Sequence, residues 1–423
     1  MTMMDEDPSA LLPEIFLALA AVLGLLLGSY LPRRRQWPVI ALAVTACAAG
    51  IVATALAGPD RTVFGESYRV DTLTNLGRYI VIGSLVFAIG VSVTHFRGHK
   101  REAELYVLML LATLGTVIMT GANDLMLLVA GYLLASIPLY ALAGFGKDDL
   151  GTEAAMKYYL MGALCGILML AGVTVLFGVG GATGYPEIAL SGASGVVVAI
   201  GLVGVFAGLL FKIGAVPVHF WVPDVTEGTR PPVAAFVTTV PKIGALIAMF
   251  RLVQVDIRVD WPVLVAVIAA VTMTLGNFGA FFQDNVRRLL AYSTISQVGY
   301  LLMAVAVATR SDWAQPGLLI YLAAYAVTNL GAFAVVCALP KITTVSGYSG
   351  LFRTRPWLAI TLVVCLLGLV GTPPTPVFVG KLAVFTATVD GGFAWLAIIA
   401  AVNTVASLFY YLRWIAPTLS RET

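Results

Sequence analysis

The chain has 423 residues, of which 60% are hydrophobic and 11% are Asp, Glu, Lys or Arg. Soluble domains carry about 25% charged residues, so this sequence cannot coat a globule with polar groups. Its mean hydropathy of +0.94 makes lipid the solvent for most of its surface. The net charge of +3 says little by itself, and nucleic acid is not an expected partner. Cys47, Cys165, Cys337 and Cys365 are far apart in apolar runs. With no CxxC and no Cys/His metal spacing, they read as small apolar fillers.

The N-terminus, MTMMDEDPSA, is acidic where a secretory signal needs a basic start, so the first apolar run is expected to be a true span. A span needs about 20 apolar residues. Thirteen are expected, near 10–31, 37–57, 73–94, 105–121, 123–143, 155–178, 192–216, 229–252, 262–283, 287–308, 316–338, 356–388 (broken) and 393–413. The fold class is therefore all-α: a polytopic membrane helix bundle. Trp37, Trp261, Trp313, Trp357 and Trp414 fall near span ends, as an interfacial belt would.

Basic residues collect in alternate loops: Arg33, Arg34 and Arg35; Arg97, Lys100 and Arg101; Arg287 and Arg288; Lys341, Arg353 and Arg355. The opposite loops are mixed, as in Arg251, Asp256, Arg258 and Asp260. The positive-inside rule then puts the N-terminus outside and the C-terminal SRET inside an inner, multi-pass membrane.

Spans 7 and 12 are interrupted, the first near Pro217 and the second at Pro373, Pro374 and Pro376. Irregular backbone at membrane depth survives only inside protein or beside water. Paired breaks suggest two inverted repeats with an ion site at the breaks. The expected layout is an N-terminal three-helix segment at 1–104, repeat 1 at 105–252, repeat 2 at 253–413 and a short tail at 414–423.

Three lysines lie within spans: Lys212 before the first break, Lys242 in TTVPKIGALIAMF, and Lys381 after the second. A lysine at a helix centre costs about 2.5–3.5 kcal/mol. Arg78 and Arg251 are expected to snorkel to headgroups instead. An ammonium held away from water is costly to keep charged, so small changes around it decide whether it keeps its proton. Ser293, Thr294, Ser296, Gln297 and Tyr300 could line a polar path, although ordinary interhelical hydrogen bonds explain each one separately. His219, beside a break and five residues before Asp224, is a candidate of the same kind. No Fe–S cysteine set, P-loop or dinucleotide fingerprint occurs. The chemistry these residues suggest is charge movement.

The stretch FKIGAVPVHFWVPDVTEGTRPPVAAFVTTVPK resembles the antiporter-like subunits of respiratory complex I, and among them subunit N. Further matches are TEAAMKYYLMGAL, LGNFGAFFQDNVRRLLAYSTISQVGYLL, NLGAFAVV, SGLFRTRPWLAI, GTPPTPVFVGKLAVF and NTVASLFYYLR, so the resemblance covers about residues 105–413. It implies a membrane-arm subunit of an NADH:quinone oxidoreductase that moves H⁺ through a relay of Lys212, Lys242, Lys381 and His219. Asp124, Glu153, Lys157, Asp224, Glu227, Ser293, Ser296, Gln297 and Tyr300 would support that relay. It implies no cofactor or metal in this chain. FMN, Fe–S clusters and quinone would belong to other subunits. The implied partners are antiporter-like and small hydrophobic membrane subunits, and lipid. Two other readings share the pattern: a subunit of a multisubunit Na⁺/H⁺ antiporter, and a non-pumping structural element of the arm.

The sequence departs from the family at several places. Leu133 stands where the family has a Glu in span 5, the usual partner of the span-7 lysine. Gln297 stands where His is frequent, and Val377 replaces a Gly. Thirteen spans are legible where the family is expected to have fourteen. The remaining carboxylates in the same region, Asp124 and Glu153, lie near span ends.

Overall fold

The computed structural model describes residues 7–33, 35–58, 60–190, 195–255 and 261–420. Arg34, the mixed-charge positions Asp256, Arg258 and Asp260, and the last three residues of the tail lie outside the described residues. The chain divides into two compact units: Met1–Ile213 with Val240–Val259, and Gly214–Thr239 with Asp260–Thr423.

The first unit begins with a short 3₁₀ turn, Pro8–Leu11, and α1 (Leu12–Tyr30) and α2 (Trp37–Ala55). A hairpin follows, β1 (Arg61–Val63) pairing antiparallel with β2 (Tyr68–Val70), with Val63 opposite Tyr68. The sequence offered no strand signal here, because each strand has only three residues. Its inward Val63, Tyr68 and Val70 cluster with Ala10. Then come α3 (Thr72–Phe96), α4 (Glu102–Gly121), α5 (Leu125–Ala143), α6 (Asp149–Gly180), α7 (Tyr185–Leu190) and α8 (Gly195–Ile213). Asp71 caps α3 through the Thr74 amide, Asp124 caps α5, and Asp148 caps α6.

After α8 come α9 (Trp221–Gly228) and α10 (Pro231–Val253). The second unit holds α9 and the start of α10, then α11 (Trp261–Phe281), α12 (Val286–Ala306) and α13 (Ala314–Ala338). A 3₁₀ turn at Ser346–Tyr348 and the short α14 (Leu351–Thr354) lead to α15 (Pro356–Val370), α16 (Pro376–Asp390) and α17 (Ala394–Leu419). Among the described residues, twelve helices are long and apolar enough to cross a membrane. They match every expected span but the twelfth, which is the split pair α15 and α16. Multi-pass membrane architecture follows directly. α4, α5, α6 and α8 pack together in the first unit; α11, α12, α13, α15, α16 and α17 do so in the second.

The two breaks share a form. α8 ends at Ile213 and Gly214 takes φ +76°; α15 ends at Val370 and Gly371 takes φ +85°. Both glycines adopt the left-handed conformation that ends a helix without a Cβ clash. A cis X–Pro bond follows within three residues in each, Val216–Pro217 and Pro373–Pro374.

Two expectations are corrected. Arg78 and Arg251 do not snorkel. Arg78 is fully buried. Its Nε and Nη2 donate to the two carboxylate oxygens of Glu14, at 2.8 and 2.9 Å. Tyr68 donates to the same carboxylate at 2.7 Å, and Ala10 carbonyl accepts from Arg78 at 2.9 Å. Arg251 forms a fork with both oxygens of Asp71, each at 2.9 Å, and reaches the Thr74 hydroxyl. A carboxylate partner far along the chain, Glu14 in one case and Asp71 in the other, is what sequence spacing could not reveal. The Trp belt also thins: Trp37, Trp313 and Trp357 are exposed, whereas Trp261 and Trp414 are buried and Trp414 meets Tyr348 edge-on.

Breaking one partner of a buried pair strands a charge and costs about 3–5 kcal/mol. Glu14→Gln is therefore expected to lower the thermal denaturation midpoint of the purified protein sharply, and Arg78→Met added to it should restore part of the loss. Asp71 has a second signature. Burial pushes its carboxyl up, but the Arg251 hydrogen bonds and charge more than offset this and hold it below its ordinary 3.8. A carboxyl depressed in the fold stabilises above its unfolded value and loses that contribution as pH falls through the folded one. The stability gap between wild type and Asp71→Asn should thus be full at neutral pH and close below pH 3.8, measured as thermal midpoints against pH.

Candidate functional site

The three lysines are the centre of the site. Lys212, Lys242 and Lys381 are 1%, 1% and 3% exposed, so none reaches a headgroup.

Lys212 is the penultimate residue of α8. Its ammonium donates to the Ser136 hydroxyl on α5 and lies 4.6 Å from the centre of the Tyr132 ring. The Ser136 hydroxyl in turn donates a hydrogen bond to the Tyr132 carbonyl one turn earlier. Hydroxyl and ring face together replace a counter-ion: one supplies a lone pair, the other the negative face of a π system. Leu133, at the position of the missing family carboxylate, is 39% exposed on the flank of α5. Asp124 is occupied as the α5 cap and accepts from Thr183. Glu153 and Lys157 form an exposed i, i+4 pair on α6 at 2.7 Å. Both carboxylates are thus engaged elsewhere, and among the described residues Lys212 has no ion pair.

Lys242, midway along α10, donates to the Ile213 carbonyl at 2.8 Å. Lys381, on α16, donates to the Val370 carbonyl at 2.9 Å and approaches the Thr404 hydroxyl. Its ammonium is 4.1 Å from the Tyr300 ring centre. Ile213 and Val370 are the last residues of α8 and α15. Each break thus leaves the carbonyl end of a half-helix free, the negative end of the macrodipole, and a lysine binds it.

In the second unit, the predicted polar residues of α12 divide. Ser293 bonds Tyr411. Thr294 bonds Tyr325, whose hydroxyl also reaches the Thr238 carbonyl. The Gln297 amide donates to Leu369 carbonyl at 2.8 Å, and its oxygen accepts from Tyr321. Tyr300 faces Lys381 and accepts from Thr404. Ser296 and Asn329 each keep a buried oxygen without a protein partner. Such atoms ordinarily hold water. Tyr321, Tyr325, Asn329, Asn277 and Asn403 join these chains, and sequence reading missed them. Tyr321, Tyr325 and Asn329 recur every four residues along one face of α13, a spacing that marks them in the sequence, whereas Asn277 in α11 and Asn403 in α17 have no local pattern to mark them.

His219 lies in the first break, half-buried, with its ring against Phe220 and Nδ1 without a partner. Asp224 and Glu227 do not stand alone. Arg288 donates to them at 3.0 and 2.9 Å, and Asn285 donates to Glu227. This ties α9 to the start of α12. Among the described residues no His, Cys, Asp and Glu group could hold a metal ion.

Paired half-helices whose last carbonyls meet lysines, inside a bundle of apolar spans, are the features of an antiporter-like membrane subunit. Residues 122–407 match the family model of the NADH:quinone oxidoreductase/Mrp antiporter membrane domain. Among its relatives, the chain is 56% identical to NADH-quinone oxidoreductase subunit N 1 of Streptomyces griseus, covering 98% of this chain and 89% of that protein. It is 51% identical to subunit N of a Mycobacterium species, over 98% and 89%. A chain of Thermus thermophilus respiratory complex I, solved with bound aureothin, superposes with TM-score 0.83 at 28% identity, over 97% of this chain and 90% of that one. A chain of the Mrp complex from Dietzia reaches TM-score 0.85 at 22% identity, a likeness of fold alone. The chain belongs to the NADH-quinone oxidoreductase subunit N family.

Gly371 tests the Lys381 seat. A Cβ there would stand 2.8 Å from the lysine Cδ, at a φ of +85°. Gly371→Ala is expected to cost about 1 kcal/mol or more through backbone strain and to push Lys381 off the Val370 carbonyl. The measurement is a thermal midpoint together with proton transport in assembled complex, both of which should fall.

Proposed function

We propose that this subunit moves H⁺ across the membrane through the buried lysine relay, driven by quinone reduction in other subunits. The observation that carries this reading is that three ammonium groups are sealed inside the protein, two of them on the carbonyl ends of broken helices. An inert anchor has no use for such groups, because each must be dehydrated on insertion. Backbone carbonyls, hydroxyls and ring faces solvate the protonated amine without fixing it as a carboxylate would. Buried oxygens on Ser296 and Asn329 leave places for water along the second unit, and proton hopping needs such bridges.

In this reading the chain takes part in the enzyme complex without doing redox chemistry. FMN, Fe–S clusters and quinone sit in its partners, which include other antiporter-like and small hydrophobic membrane subunits. The basic loops support an N-terminus outside and a C-terminus on the cytoplasmic side. The like-formed breaks support two inverted repeats, 105–252 and 253–413, after a three-helix segment. His219, with an open Nδ1 at the first break, is the relay's exchangeable imidazole.

Leu133 favours a second reading, a structural arm subunit that no longer pumps, because the usual carboxylate partner of Lys212 is absent. The two readings separate in assembled complex. Removing a proton-transfer group slows its step by about 10² or more, enough to silence one channel. Lys212→Met and Lys381→Met are each expected to lower protons moved per NADH oxidised in inside-out vesicles, with assembly checked by native gel. An unchanged ratio in both variants assigns the chain to the structural role.

A further inference from the structure

The end of the first unit where the α1–α2 connection meets α4 carries a recess unrelated to the lysine relay. It holds about 810 Å³ and lies where α1 ends and α4 begins. Its lining includes Tyr30, Arg33, Gln36, Lys100, Arg101 and Glu104. Three cations face one carboxylate there, a surplus of positive charge.

The lining is built, not loose. Gln36 is buried; its oxygen accepts the Ala103 amide at 2.9 Å and its amide reaches the Gly28 carbonyl. This stitches the α1–α2 connection to the first turn of α4. Arg101 is stacked 4.4 Å over the Phe145 ring and donates to the Phe145 carbonyl, so its guanidinium is held in place. Glu102, buried and not part of the lining, accepts the Gly98 amide at 2.8 Å. By contrast Arg33 and Lys100 are exposed, and among the described residues neither has an ion-pair partner.

The surroundings point to a lipid. Tyr30, 87% exposed, stands at the rim with exposed Trp37 close by in sequence. Aromatic side chains of this kind sit at headgroup depth. Below them, Leu19, Val22, Leu23, Leu25 and Leu26 are exposed along α1, an apolar track running from the recess toward mid-membrane. A free anion would use the charges and ignore the track. An anionic phospholipid uses both, its phosphate on Arg33 and Lys100 and its acyl chains along α1. The geometry points to this recess as a binding site for an anionic glycerophospholipid headgroup.

The test uses assembled complex in vesicles of phosphatidylcholine and phosphatidylglycerol, with a photoactivatable phosphatidylglycerol as probe. Labelling is expected on peptides spanning 25–37 and 97–104. A photoactivatable phosphatidylcholine should label them weakly. Each basic side chain at an anionic surface contributes about fivefold, equivalent to ~1 kcal/mol. Arg33→Gln with Lys100→Gln should therefore cut labelling of these peptides at least tenfold, while labelling of the exposed face of α17 stays unchanged. That internal reference separates loss of the site from loss of membrane insertion. Equal labelling by the two lipids, unaltered labelling in the double variant, or no labelling of these peptides overturns the proposal. Displacement by inorganic phosphate also overturns it, assigning the recess to a free anion.

Discussion

An ammonium group has a full charge and three N–H donors, and hydrocarbon offers neither a counter-charge nor an acceptor. Everything distinctive in this protein follows from meeting that demand three times at depth. Breaking a helix is one solution, because a helix end exposes carbonyls that the helix interior consumes. α8 and α15 both stop at a left-handed glycine, and both give their last carbonyl to a lysine. The glycine, the break and the amine are one device, and the chain uses it in both units.

Arginine is treated differently. Arg78 and Arg251 are locked by bidentate forks to Glu14 and Asp71. A guanidinium stays protonated and matches a carboxylate two bonds at a time, which suits it to fastening helices. These pairs tie α3 to α1 and α10 to the cap of α3. Lys212 and Lys381 instead meet hydroxyls, a backbone carbonyl and ring faces. The division of labour between the two cations is therefore readable from what each one touches.

Much of this was legible in the sequence, and the reasons differ by feature. Helix count came from apolar length, a signal that needs no tertiary context, and the broken spans came from proline and glycine clusters. The lysines stood out because charge is rare in such runs. What surrounds them did not. Tyr132 and Ser136 come from α5, 76 residues before Lys212 in the Ser136 case, and nothing local in GYLLASIPLY marks them as its neighbours. The family comparison drew attention to Leu133, whereas the ammonium meets the residues on either side of that position in the helical turn. Arg78 was misread for the same reason: its partner Glu14 lies 64 residues away. The hairpin before α3 was missed because three-residue strands carry too little pattern to detect.

The Lys381 seat carries one more consequence. Its partners are a backbone carbonyl, a hydroxyl and an aromatic face. None of these is a carboxylate. A lysine beside a carboxylate can be reset by a proton landing on its neighbour; this one cannot. In the relay proposed above, its proton would come and go by displacement, as when a half-helix tilts its carbonyl out of line, and the turn between α15 and α16 would set the pace.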